Sequence, residues 1–290
     1  MELKSLEAVG VGAGGGGAVM VSSIAAQPAI TRQGGGGQGR YLQWLWAWPF
    51  PLLLLALWQW SAVQGWVPEQ VLPPPAVVWD TFASLAASGE LWDHLGISLV
   101  RVFAGFAIGL GLGWLLGAAM GLSTTLRDYV FPLFKAFSQV PTIGWLPLLM
   151  LVVGIDESLK YLLIAKAALV PVAINTCQGI QGVPNRFVEV ARVYGFTRWQ
   201  LLTKVVLPAA TAQIWNGVRY GLTHAWLALV VVELLASSEG IGFLIVYGRQ
   251  LFQLDVVLAA VLAVGLVGLL LDQALVRTEV WLLRWRKPGL

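Results

Sequence analysis

Residues 95–121 read LGISLVRVFAGFAIGLGLGWLLGAAMG. The run is long enough to cross the hydrocarbon core of a bilayer as one helix, which takes about 20 predominantly apolar residues. Gly105, Gly109, Gly113, Gly117 and Gly121 recur every four residues along it. With 3.6 residues per turn, that spacing keeps them close to one face of the helix. A face without side chains lets a second helix approach until van der Waals packing supplies the association that lipid does not drive. The stretch predicts a helical membrane protein with one very close helix contact, and it is silent about what the protein moves.

Five more windows qualify as spans, at 49–66, 136–153, 159–179, 212–236 and 256–276. Backbone amides in lipid must be bonded within their own segment, so such windows are helices. Composition agrees: of 290 residues, 58% are hydrophobic and 11% charged, with a mean hydropathy of +0.75. That is too apolar for a soluble domain of this length. The fold class is therefore all-α integral membrane, with about six transmembrane helices. Pro49 and Pro51 open the first window, where a missing amide donor costs little. Trp44, Trp46, Trp48, Trp60 and Trp66 gather at its two ends, as an interfacial aromatic belt does. Pro141, Gly144 and Pro147 predict a kink or interruption in the third window, and Pro171 raises the same question in the fourth. Such breaks are tolerated where backbone lines a cavity or is buried in protein.

Charge sets the expected orientation. Residues 1–40 hold 11 of the 33 glycines with no apolar periodicity, and include Lys4, Arg32 and Arg40. They read as a flexible tail. The apolar part of 18–29 is too short and too broken by serines for a signal peptide, so the segment is expected to be retained. Residues 41–100 contain no Lys or Arg but carry Glu69, Asp80, Glu90 and Asp93. Asp156 and Glu157 share that side, whereas Arg127, the group Arg186, Arg192, Arg198 and Lys204, and the group Arg277, Arg284, Arg286 and Lys287 fall opposite. By the positive-inside rule both termini are cytoplasmic. The resulting organisation is a Gly-rich cytoplasmic tail at 1–40, a first transmembrane helix with its periplasmic connection at 41–94, a core of five helices at 95–276, and a basic cytoplasmic tail at 277–290. The net charge of +3 is spread over short loops, which fits membrane orientation and not nucleic acid.

Two ionisable residues stand out inside the windows, Lys166 in the fourth and Glu233 near the outer end of the fifth. A charge at the bilayer centre costs roughly 2.5–3.5 kcal/mol on insertion scales, so it faces a partner or a watery cavity. Lys166 either gives an anion a favourable field along its route or neutralises a buried acid. Glu233 reads as a packing or gating partner, since a lone acid makes no proton relay. With Pro141 and Trp145 of the interrupted window, these two form the candidate substrate pathway. Two histidines, His94 and His224, and the single Cys177 offer no metal-ligand spacing. No GxxxxGK[ST] phosphate loop occurs, so neither a metal nor ATP is expected on this chain.

Residues 189–208, EVARVYGFTRWQLLTKVVLP, are polar and basic between apolar runs. Their own apolar members, Val190, Val193, Leu201, Leu202 and Val205, need a surface to cover, which suggests a docking element for a soluble partner. The segment has Glu189-x-Ala191, Gly195 six residues after the glutamate, and Val205-x-Leu207-Pro208 after nine more. This resembles the EAA loop of membrane permease subunits of binding-protein-dependent ABC importers, with Val190 replacing a common alanine and Val205 a common isoleucine. The likeness extends over 58–285. Within it 88–102, 140–160, 173–180 and 237–245 look most like aliphatic sulfonate permeases, with taurine, nitrate and bicarbonate permeases as neighbouring branches.

The resemblance implies a type I ABC importer permease fold in a bacterial inner membrane, with a coupling loop at 182–211. It implies two short helices inserted into a groove of a cytoplasmic ATP-binding subunit, with Gly195 turning between them and Pro208 ending the second. Glu189 would cap the first helix or meet a basic residue of that subunit. ATP and magnesium would be used by the ATPase alone. A periplasmic substrate-binding protein would deliver a small oxyanion, and two permease copies would enclose the pathway. A stand-alone secondary transporter or channel is the alternative from another class; the inverted repeats or proton relay that would favour it are not found.

Overall fold

The computed structural model describes residues 48–284 except 67, 69 and 70. The Gly-rich tail at 1–40, Trp44, Trp46, Arg286 and Lys287 lie outside the described residues. By contact the chain divides after Pro51, and the account below concerns the unit Leu52–Leu290. In order, the helices are α1 (Pro49–Val63), α2 (Pro75–Ser88), α3 (Glu90–Leu122), α4 (Thr124–Gln139), α5 (Leu146–Val153), α6 (Glu157–Gln181), α7 (Asn185–Val193), α8 (Arg198–Leu201), α9 (Leu207–Ala236), α10 (Ile241–Gln250) and α11 (Leu254–Leu282).

The glycine ridge of α3 lies against α6. A β-carbon built on Gly109 would strike the Ala165 carbonyl, and one on Gly105 would sit 2.7 Å from Ile164 Cβ. Further along, one on Gly117 would lie 2.8 Å from Thr176 Cβ, and one on Gly121 2.9 Å from Ile180 Cβ. Both sequences advance together, so α3 and α6 are parallel. Helix α9 packs on the other side of α6 in the opposite direction: Gly179 faces Gln213, Gly217 faces Asn175, and Gly221 faces Val172. Helix α6 is thus the buried centre, with Leu163, Ile164, Ala168, Val172 and Ala173 inaccessible to solvent. Helix α11 runs back along α9, where Trp226 meets Gly268 and Arg219 meets Asp272.

Because α3 and α6 are parallel, the chain between them must return across the bundle. It does so through a pair bent by 89°, Thr124–Gln139 followed by Thr142–Val153. The window at 136–153 is therefore not a span by itself, which corrects its expected boundaries. Val140 is extended (φ −74°, ψ 116°), as a residue before proline prefers. A 3-10 turn, Thr142–Trp145, then leads into α5, whose first turn holds Pro147. Four helices are long and apolar enough to cross a membrane, or five with the bent pair. The first window forms α1, only 15 residues long, and Gly65 (φ 71°) turns the chain after it. Trp48, Trp60 and Trp66 of the expected belt are exposed.

Pro171 does not break α6; Asn175 Nδ2 donates to the Pro171 carbonyl at 2.8 Å and its Oδ1 accepts from Gln213 of α9 at 2.8 Å. Pro208 does not end a helix either, contrary to expectation. Residues Leu202–Val206 form a π turn, and the helix continues from Arg198 to Ala236 without interruption. The wider turn spares the clash between a proline ring and the carbonyl four residues earlier.

The ridge makes a paired prediction. Gly109→Ala is expected to cost about 1–3 kcal/mol, because backbone cannot yield to the new methyl. Gly111→Ala, where an added β-carbon meets nothing within 4 Å, should be neutral or stabilising by up to about 1 kcal/mol. Thermal unfolding of the two variants in detergent would test this; equal behaviour would argue against the α3–α6 contact.

Candidate functional site

At one end of the bundle, two helices project from it. Helix α7 starts after Pro184 and ends in a Schellman arrangement: Phe196 N–H donates to Ala191 O (3.1 Å) and Gly195 N–H to Arg192 O (2.9 Å). That geometry needs a left-handed residue, and Gly195 has φ 74°. Thr197 then caps α8 with a capping box, its Oγ1 accepting from Gln200 N–H and its own N–H donating to Gln200 Oε1. Ala191 is buried beneath α7, while Leu201 and Leu202 pack on the core of Ile180, Val183, Val206 and Ala210. Phe187, Val190, Val193, Tyr194 and Trp199 remain exposed, Val193 by 87%. The apolar residues of this segment thus divide between those that anchor it and those that face outward. Glu189 is exposed in the second turn of α7, and no hydrogen bond or ion pair holds it among the described residues. It does not cap α7, which leaves its charge for something outside the chain.

Leu207 and Pro208 belong to the N-terminal end of α9, not to a separate coupling helix. The arrangement presents a rigid turn, an apolar stripe and the cations Arg186, Arg192, Arg198 and Lys204 on one projecting surface. Arg186 and Lys204 lie over the Phe187 and Phe196 rings, 5.0 and 5.8 Å from their centroids.

The second region is a cleft of about 430 Å³ between the bent pair and helices α6 and α9, lined among others by Pro141, Thr142, Lys166, Asn175 and His224. Lys166 Nζ donates to the Val140 carbonyl at 2.6 Å and lies 5.5 and 5.9 Å from the Phe137 and Trp145 ring centroids. Among the described residues no carboxylate pairs with it, so the reading in which Lys166 neutralises a buried acid is not the one found. Trp145 is beside Lys166 without lining the cleft, and Glu233 is not there at all.

Glu233 lies at the end of the bundle opposite the projecting helices, its side chain fully buried. It accepts from Ser98 Oγ (2.8 and 2.9 Å), Arg101 Nη1 (2.9 Å) and Gly242 N–H (3.0 Å). Arg101, also buried, continues to Glu157 at 2.6 Å and to the Glu239 carbonyl at 2.8 Å. Lys160 joins Glu157 at 2.6 Å. This network ties α3, α6, α9 and the turn before α10 together. Glu157 entered the sequence reading only as a loop charge that sets orientation, and Arg101 and Lys160 not at all, although an arginine seven residues into the window at 95–121 was visible there. The pair Arg219–Asp272, 2.9 Å apart and half-exposed, escaped notice in the same way.

Comparison with known proteins bears on the family and the fold. The sequence model of the family described as binding-protein-dependent transport system inner membrane component matches residues 109–278. A permease protein of Bacillus subtilis named for aliphatic sulfonates transport is 43% identical over 79% of this chain and 83% of its own length. Its Escherichia coli namesake is 40% identical over 79% and 87%. A taurine transport system permease of Escherichia coli is 34% identical over 74% and 80%. A solved structure of the MetNI methionine ABC transporter in inward facing conformations aligns with a TM-score of 0.54 at 22% identity, covering 66% of this chain and 94% of that one. At that identity the likeness is one of fold.

Proposed function

Because the chain belongs to the family of binding-protein-dependent transport system inner membrane components, we propose that it is the permease subunit of an ABC importer for aliphatic sulfonates. The observation that carries this is the projecting segment Asn185–Val193, Gly195, Arg198–Leu201, a preorganised helix pair with an unpaired acid and an outward apolar stripe. A cytoplasmic ATP-binding subunit covers that stripe, and Glu189 meets one of its basic residues. ATP and magnesium act on that subunit, not on this chain. The loop at 182–211 is cytoplasmic, as are both termini. A periplasmic substrate-binding protein delivers cargo at the opposite end, where the Arg101 network lies.

Two copies of the permease face each other across the open side formed by the bent pair, α6 and α9. Closure of the paired ATPases moves the docked helices, and the bundles rock so that the cleft containing Lys166 opens to either side in turn. The substrate named for the two relatives of highest quoted identity favours a sulfonate; the taurine relative supports a closely related cargo as second reading.

The test is uptake of radiolabelled alkanesulfonate, taurine and nitrate into vesicles holding permease, ATPase and binding protein. ATP-dependent accumulation of alkanesulfonate is expected, with none when ATP or the ATPase is omitted. Accumulation driven by a proton gradient without the ATPase would replace this reading with that of a secondary transporter.

A further inference from the structure

The cleft at Lys166 adjoins a second one of about 230 Å³, and the two share Thr142, Ala167 and His224. Their linings differ in kind. The first has Lys166, Thr142 and Asn175 among its lining, together with the apolar Val140, Val170 and Ile174. The second is otherwise apolar, with Ile143, Leu227, Ala228, Val231 and Val232. Along α9 the positions His224, Leu227, Ala228 and Val231 follow the spacing of one helix face, so the polar end passes directly into the apolar one.

Neither lining contains an aspartate or glutamate. The Lys166 charge, within a membrane-crossing helix, therefore has a carbonyl and two aromatic rings as neighbours but no counter-charge among the described residues. A cation at that depth faces a partner or a watery cavity, and an anion entering this cleft would supply the counter-charge that its lining lacks. His224 lines both clefts, its Nδ1 paired with the Tyr220 carbonyl at 2.8 Å.

We infer that the two clefts form one head-and-tail recognition site for an unbranched alkanesulfonate, with Lys166 and Thr142 at the sulfonate and Leu227, Val231 and Val232 along the chain. The inference rests on the proposed importer reading and adds a selectivity step within the permease itself. A chainless anion such as nitrate or bicarbonate fills only the polar half. Taurine brings an ammonium to a lining without a carboxylate, where burying it is unfavourable.

The experiment is equilibrium binding of radiolabelled methane-, propane- and butanesulfonate and of taurine to the permease–ATPase complex in nanodiscs, without binding protein. Affinity is expected to rise about fourfold for each added methylene, with taurine at least tenfold weaker than propanesulfonate. Lys166→Met should weaken all sulfonates by about tenfold or more, and Lys166→Arg should retain most of the binding. Leu227→Asn should flatten the dependence on chain length while methanesulfonate binds as before. Every variant is first checked for ATPase co-purification, so that a misfolded protein is not scored.

Absence of binding, affinity independent of chain length, taurine binding as well as propanesulfonate, or an unaffected Lys166→Met variant would each overturn the assignment. If the complete transporter still accumulates sulfonate in those cases, only the cleft assignment falls. If it accumulates none, the importer reading falls with it.

Discussion

Gly195→Val is expected to abolish ATP-driven uptake and to lower ATPase co-purification more than tenfold, while the protein still inserts and elutes as the wild type does. A β-carbon at Gly195 meets nothing within 4 Å, so crowding is not the reason. The reason is the left-handed backbone, φ 74°, which costs an L-residue about 1–2 kcal/mol and a β-branched one more. Relief requires breaking the bonds from Gly195 N–H to Arg192 O and from Phe196 N–H to Ala191 O, which fix the angle between α7 and α8. The segment projects from the bundle and the core at α6 does not depend on that angle, so insertion survives. Gly195→Asn, which tolerates left-handed geometry, should keep most of the activity. Wild-type ATPase recovery with Gly195→Val would remove the docking role from this turn.

The second large effect is expected at Arg101. Arg101→Met leaves the fully buried Glu233 carboxylate with Ser98 and the Gly242 amide but no cation. Removing one partner of a buried pair costs about 3–5 kcal/mol, which corresponds to a fall in melting temperature on the order of 10 °C. Adding Glu233→Leu to Arg101→Met should recover a large part of that loss, because the uncompensated charge is gone. Thermal unfolding of the single and double variants measures both. A double variant less stable than Arg101→Met alone would mean that the network stabilises the bundle by geometry and not by charge pairing.

How far the structure could be read from the sequence depended on whether a feature repeats locally. The glycine ridge of α3 is a local pattern and stands where residue spacing puts it, and the turn at Gly195 stands where the family resemblance implies. The bent pair was half legible: Pro141 and Pro147 announce a break, yet only the parallel packing of α3 on α6 shows that 124–153 is the return path. Pro208 was read as a terminator because an α-helix excludes it, and no residue pattern signals the π turn that carries the chain past it. Arg101 escaped because its partners, Glu157 and Glu233, are 56 and 132 residues away. Charge counting treated loops as units and stopped one residue short of it. His224 offered no metal-ligand spacing in the sequence, and only folding brings it to the cleft that Lys166 lines.

The unbroken helix from Arg198 to Ala236 gives the molecule a lever. At 1.5 Å per residue its 39 residues span about 58 Å, with the turn after Gly195 at one end and Glu233 near the other. A tilt of roughly 5° at the Arg198 end would sweep the Glu233 end through about 5 Å. The π turn Leu202–Val206 lies between the Gly195 turn and the long α segment Leu207–Ala236. Glu233 is bound to Ser98 and, through Arg101, to Glu157, so the far end of the lever is bolted to α3 and α6. A tilt of α9 would carry α3 and α6 with it through those bonds.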